Sequence, residues 1–125
     1  MAKTNFRKLE TSSGKLMLAG KNAASNEQIV EQAGKNELVI HTAKPGSPFV
    51  NIKPREGEKI NGEDVKEAAI FCVKYSQAWK KAKVKMDVEV HVFKAQDIYK
   101  TKDMSLGTFG VKKHKSIIVR KEYIS

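Results

Sequence analysis

Residues 84–92 read Val-Lys-Met-Asp-Val-Glu-Val-His-Val, with an apolar residue at every second position and a polar one between. Side chains of an extended chain point alternately to opposite faces, so this spacing predicts a strand with one buried face and one wet face. A helix would scatter the same residues around its circumference. Such a strand cannot stand alone. Its backbone needs neighbouring strands, and its apolar row of Val84, Met86, Val88, Val90 and Val92 needs a cover.

The cover is legible upstream. Asn61 is placed to cap a helix, and Glu63 and Asp64 in the first turn suit the positive end of its dipole. Val65, Ala68, Ala69, Cys72, Ser76 and Trp79 recur at three- and four-residue spacing, widened by Ile70, Phe71 and Val73. This predicts one helix running to about Lys81. Ala68, Ala69 and Ser76 are small enough to let it lie close against a sheet.

Neighbouring strands are also legible. Residues 6–9 and 16–19 flank Thr11-Ser12-Ser13-Gly14 and predict a β-hairpin. Residues 37–42 and 49–53 read as strands around the turn Pro45-Gly46-Ser47-Pro48. Further short strands are expected at 98–100, 108–111 and 117–120. A second helix is predicted from Ser25, with Gln28 completing a capping box. It carries Ile29, Val30 and Ala33 and stops at Gly34. Residues 54–62 form a polar loop. The order lacks βαβ alternation. The expected fold is therefore α+β, a mostly antiparallel sheet packed against one long central helix and one short helix. At 125 residues, with no repeat and no linker, the chain is expected to be a single domain over 1–125.

Charge narrows the partners. The formal net charge is +10. Residues 1–73 hold 11 Lys+Arg and 9 Asp+Glu, whereas residues 74–125 hold 13 and 5, so +8 of the +10 lies in the second part. Clustered cations suit a phosphate backbone, because neutralising it releases counterions. Nucleic acid is the first expected partner and an acidic membrane surface the second. No run of about 18 apolar residues is present, so no membrane span is expected. No apolar segment follows the N-terminal Met1-Ala2-Lys3, which predicts a cytoplasmic chain. The single cysteine, Cys72, excludes an internal disulfide. On the apolar stripe it reads as a buried structural thiol.

Catalytic patterns are missing. His41, His91, His114 and Cys72 make no CxxC or HxxxH pair, and no GxSxG, Walker A or GxGxxG motif occurs. No catalytic residue, metal or cofactor is predicted, and the chain is not expected to be an enzyme. Binding features are richer. Gly20-Lys21-Asn22 precedes a helix N-terminus, where free N–H groups and Lys21 can hold a phosphate. The same residues equally suit an ordinary strand-to-helix loop. His41 and Lys44 adjoin the Pro45-Gly46-Ser47 loop, where Gly46 permits close backbone approach and Ser47 can donate to a phosphate oxygen. A plain hairpin turn is the alternative. Lys112, Lys113 and His114 follow Gly107-Thr108-Phe109-Gly110, which places cations beside an aromatic, a pairing that can bind phosphate and stack a base. By pattern, Phe109 and Trp79 are core residues.

Together these blocks resemble a known family. Gly20-Lys21-Asn22-Ala23-Ala24-Ser25-Asn26-Glu27 is similar to the G-[KR]-[DN]-A-x-x-N-E signature of NFACT-R, the RNA-binding module of the NFACT ribosome quality-control factors. Residues 40–47 resemble its next block, a strand ending in His and a Pro-Gly-Ser turn. Residues 68–80 resemble its A-A-x(5)-Y-S-x-A-W helix. Residues 96–100, 107–109 and 112–113 resemble its closing segments. The match spans about residues 6–115, in the free-standing form of the module. The resemblance implies binding of RNA, tRNA or rRNA, in the context of stalled large ribosomal subunits. It implies contact or loop-shaping roles for Lys21, Asn22, Asn26, His41, Gly46, Ser47, Lys100 and Thr108. Charge and context add Lys44, Lys94, Lys112, Lys113 and His114. A protein-interaction adaptor on the ribosome and a general DNA phosphate binder are the alternative functions.

Overall fold

A computed structural model describes residues 6–44 and 46–124. In chain order the strands are β1 (Arg7–Glu10), β2 (Leu16–Ala19), β3 (Leu38–Thr42), β4 (Val50–Lys53), β5 (Val88–Lys94), β6 (Ile98–Tyr99), β7 (Gly110–Val111) and β8 (Lys115–Val119). The helices are α1 (Ala23–Gln32), α2 (Gly62–Lys74) and α3 (Gln77–Lys81). Six strands form one sheet in the order β1-β2-β4-β3-β5-β8, and all of its pairings are antiparallel. β6 and β7 make a separate two-stranded arm. The α+β class expected from the sequence is the one observed.

The sheet is covered on both faces. Ala68, Ala69, Cys72 and Val73 of α2 pack on one face against Ile40, Ile52, Val90 and Val119. On the other face Ile29 of α1 packs with Leu18, Val39, Phe49 and Phe93. The period of two explains the division. Val90 and Val92 of β5 enter the α2 layer while Phe93 enters the α1 layer, and His91 also lies on the α1 side. Each fully buried Ile or Val contributes about 1.5–3 kcal/mol by leaving water. The Cys72 thiol is fully buried and donates to the Ile40 carbonyl (3.3 Å), and burial pushes its pKa well up. That makes it a small core residue with no thiolate to offer.

Three local readings are corrected. The α1 cap is Asn22, not Ser25. The Asn22 Oδ1 accepts from the Ser25 N–H (2.8 Å), and the Ser25 Oγ accepts from the Asn22 N–H (3.0 Å). Ser25 thus closes the capping box as its third residue and leaves Gln28 no part in it. The long helix divides at Tyr75 and Ser76. The Ser76 hydroxyl donates to the Val73 carbonyl (2.7 Å) and accepts from the Trp79 N–H (3.2 Å), so it ends one helix and caps the next. Finally, β5 begins at Val88 rather than Val84. On one side β3 stops at Thr42, opposite Val90, and on the other β8 stops at Val119, opposite Val88. Val84 and Met86 therefore have no strand beside them and stay 75% and 69% exposed. The predicted hairpin of β1 and β2 is present, with Gly14 at φ +86° in its turn. Of the turn expected at residues 45–48, Pro45 lies outside the described residues.

Candidate nucleic-acid interface

On the α1 side of the sheet a groove of about 630 Å³ opens between the N-terminus of α1, the β3–β4 loop, α3 and the segment 107–114. Its floor depends on Gly20. A Cβ there would lie 1.9 Å from the Asn26 Oδ1, which accepts the Phe49 N–H (3.0 Å). The Gly20 N–H donates to the Phe49 carbonyl (3.1 Å), and its own carbonyl accepts from Arg7 Nη1 (3.1 Å). Four segments are thereby tied at one glycine. Gly20→Ala is expected to cost about 2 kcal/mol of stability, because the short Asn26 side chain cannot move aside without losing its bond. A denaturant midpoint equal to that of the native chain would contradict this floor.

Cations surround the groove. Lys21 is exposed beside the α1 N-terminus. The capping box consumes the N–H groups of Lys21, Asn22 and Ser25, whereas those of Ala23 and Ala24 meet no acceptor among the described residues. Opposite, the Arg7 guanidinium lies 4.8 Å from the Tyr75 ring centre, and Lys80 Nζ lies 5.6 Å from it. Gly46 has φ +105°, and its carbonyl accepts the Gln77 N–H (2.8 Å), which joins the β3–β4 loop to α3. Residues with side chains resist that φ, so Gly46 shapes the loop. Ser47 is buried and its hydroxyl is used internally. It accepts from the Thr42 N–H (3.1 Å) and donates to the Pro48 carbonyl (3.2 Å). It too shapes the loop rather than presenting a donor outward.

Rings line the opposite wall. His41 packs on Phe49 with centres 4.3 Å apart, and Phe49 meets Phe109 edge-on at 5.6 Å. His91 stacks on His114 at 3.7 Å, and His41 pairs with His91 across β3 and β5. All three histidines of the chain thus meet at one groove wall. Burial, and to a smaller degree the neighbouring His91, holds the His41 imidazole below its ordinary pKa, against the opposing effect of its Nδ1 contact with the Thr42 carbonyl (2.7 Å). His41 is therefore a neutral ring at pH 7, suited to packing rather than to charge pairing.

Of the residues expected to act, Lys21, Asn22, Asn26, His41, Gly46, Ser47, Thr108 and His114 come together in this groove. Five do not line it. Lys44 is exposed on the β3–β4 loop, with its carbonyl accepting from the Thr42 hydroxyl. Lys100 is paired with Glu27, whose other contact is the Gly107 N–H (2.9 Å), and lies 4.6 Å from the Phe109 ring centre. It clamps the β6–β7 arm to α1. Burial opposes ionisation of Glu27, but Lys100 and the Gly107 N–H outweigh it and lower its pKa. Lys112 is exposed, and its N–H donates to the Asp97 carbonyl (2.8 Å). Lys94 and Lys113 face a second cavity, which His114 also touches. Arg7, Tyr75, Lys80 and His91 were not expected. Tyr75 and Lys80 lie within the helix block at 68–80, and His91 is a polar position of the alternating run, so sequence position alone marked them as structural.

Among the described residues no group of three or more His, Cys, Asp or Glu is placed to hold a metal. No helix among them is long and apolar enough to cross a membrane. Fold and groove define an α+β architecture with a cationic, ring-lined groove. Residues 4–113 match the family model described as the NFACT protein RNA binding domain, and the chain belongs to that family. A curated relative, the archaeal Rqc2 homolog aRqcH of Methanocaldococcus jannaschii, is 40% identical over 68 residues, which is 54% of this chain and 10% of the relative. The chain therefore corresponds to a small part of that relative's length. Among solved structures, the C-terminal part of the fibronectin/fibrinogen-binding protein from Streptococcus suis superposes with a TM-score of 0.81 at 21% identity, over 99% of this chain and 49% of that one. That likeness bears on the fold.

Proposed function

We propose that this domain binds structured RNA, tRNA or rRNA, in ribosome quality control, and that it binds without catalysing a reaction. The observation that carries the reading is the groove itself, in a chain of the RNA-binding family: exposed Lys21 and Lys80 at its borders and the rings of His114 and Phe109 along its wall. Phosphates are met by Lys21 with the Ala23 and Ala24 N–H groups, and by Lys80 across the groove. An unpaired base stacks on the ring wall, where contact is tolerant of sequence because every base has a π-face. Thr108, exposed at the mouth, offers a hydroxyl to phosphate or ribose. Lys44, Lys112 and Lys113 extend the positive field beyond the groove, and the large ribosomal subunit is the setting we assign. The resemblance to the archaeal Rqc2 homolog supports that setting.

Filter binding of a tRNA across a salt series tests the proposal. Each phosphate neutralised contributes a log–log slope of about −0.9 on duplex and about −0.7 on single strands, so several contacts give a steep fall. A flat dependence would remove the electrostatic basis of the proposal. Reversing Lys112 and Lys113 together is expected to weaken all RNAs alike, by less than reversing groove lysines, since long-range attraction reads no bases. A DNA of the same sequence and shape, bound equally well, would move the reading to general phosphate binding.

A further inference from the structure

A carboxylate beside an RNA-binding groove repels its ligand, yet Glu27 is bonded to the segment that forms the wall of this one. It closes the Gly20–Glu27 block, lies in the second turn of α1, and has a side chain only 13% exposed. It is not among the residues that line the groove. Its Oε1 accepts from the Gly107 N–H (2.9 Å) and pairs with Lys100. Lys100 Nζ also donates to the Ser105 carbonyl (3.0 Å) and lies 4.6 Å from the Phe109 ring centre. Thr108 is tied into the same turn, with its N–H donating to the Ser105 carbonyl (3.0 Å). Gly107 has φ +78°, and a Cβ there would lie 3.0 Å from the Ala23 Cα and carbonyl oxygen. No side chain fits between these two backbones. The stretch that carries Thr108 and Phe109 is therefore fastened to α1 through one carboxylate.

We propose that Glu27 is a positioning residue for RNA: it strengthens binding despite its negative charge, by holding Thr108 and the Phe109 ring at the groove wall. The inference rests on the RNA reading above. Two effects of the carboxylate compete. Its repulsion of phosphate is small, because Lys100 neutralises it and it does not face the groove. Its hold on the wall is the larger effect, because a base that stacks on a ring already in place has less ordering to overcome. The neighbouring Asn26 serves the floor through its bond to the Phe49 N–H. Adjacent residues of one helical turn thus set the floor and the wall, which gives the last two positions of the Gly20–Glu27 block a shared purpose.

Three substitutions that change charge in three different ways provide the test. Glu27→Ala removes a negative charge, Lys100→Met removes a positive one, and Gly107→Ala removes none. Each loosens the same fastening, and each is expected to weaken binding of a fluorescently labelled tRNA about tenfold, the scale of one stacked base. For Glu27→Ala and Gly107→Ala the slope of affinity against salt should keep its native value, because no phosphate contact is lost. Glu27→Ala combined with Lys100→Met should bind no more weakly than either alone, since both break one contact. Glu31→Ala, exposed one turn further along α1, is the charge control and should bind at least as tightly as the native chain. Without RNA, hydrogen exchange of the Gly107 amide should quicken in Glu27→Ala. Tighter binding by Glu27→Ala, an equal loss in Glu31→Ala, or an unchanged Gly107 exchange rate would each overturn the inference. A native chain that binds no RNA would remove the RNA reading and this inference with it. A native chain that binds RNA, matched by all three variants, would overturn this inference alone. The lesions are independent, so a variant that fails to fold leaves two to decide.

Discussion

Reversing Lys21 and Lys80 together lowers RNA affinity about a hundredfold at low salt, since two charge-assisted contacts of about 1.5 kcal/mol each are lost. Both side chains are exposed, so the fold should survive, and both border the groove from opposite sides. Fluorescence anisotropy with a labelled tRNA reads the loss, and circular dichroism checks the fold. The slope of affinity against salt should become shallower by about two contacts' worth. A well-folded double variant that binds like the native chain would place the RNA on another face.

The largest stability effect is expected at Asp64. Its carboxylate is fully buried beneath the first turn of α2, where Ser13 Oγ donates to it at 2.6 Å and the Asn61 N–H at 3.0 Å, and Lys15 Nζ lies 3.6 Å away. Burial alone would raise its pKa. The Ser13 and Asn61 hydrogen bonds, with help from Thr11 and the Lys15 charge, outweigh burial and bring it down to about 2 from an ordinary 3.8. A depressed pKa means that the folded state favours the ionised form. That contribution is complete above the ordinary value and fades as pH falls from about 3.8 toward about 2. Asp64→Ala should cost about 3–5 kcal/mol, because Lys15 is left as a buried charge without its partner and the α2 cap loses one bond. Urea titrations at pH 7 and at pH 3 measure both effects, and the gap between the native and variant curves should narrow at pH 3 and close further only as the pH falls through about 2. A cost that stays the same at both pH values would show that the carboxylate's charge plays no part.

The sequence carried the sheet faces well because burial alternates locally. Val90 and Val92 against His91 can be read from neighbours in the chain. Capping was readable in kind but not always in place. Asn22 and Ser25 are both competent caps, and only the hydrogen bonds decide which leads. The break at Ser76 was hidden because that residue continues the apolar spacing of α2 while its hydroxyl closes one helix and opens another. The start of β5 was hidden for a different reason. Strand length is set by where the partners β3 and β8 run out, and no residue within 84–92 encodes that. The groove follows the same division. Lys21, Asn22 and Asn26 stand in one contiguous motif and were found, whereas Arg7 reaches the groove from the first hairpin, Lys80 from α3 and His91 from β5. Juxtapositions of that kind are tertiary.

The pairing of His41 with His91 bridges a wide gap in the chain, and it has a temporal consequence during synthesis. β1, β2, β4 and β3 can pair among themselves once residue 53 has left the ribosomal tunnel. β5 and β8 arrive much later, and such distant contacts must first overcome the entropy of closing a long loop. The part of the ring wall contributed by β5 and the segment 107–114 is therefore the last of the groove to assemble, and a nascent chain released before that point would carry Lys21, His41 and Phe49 without His91, Phe109 and His114.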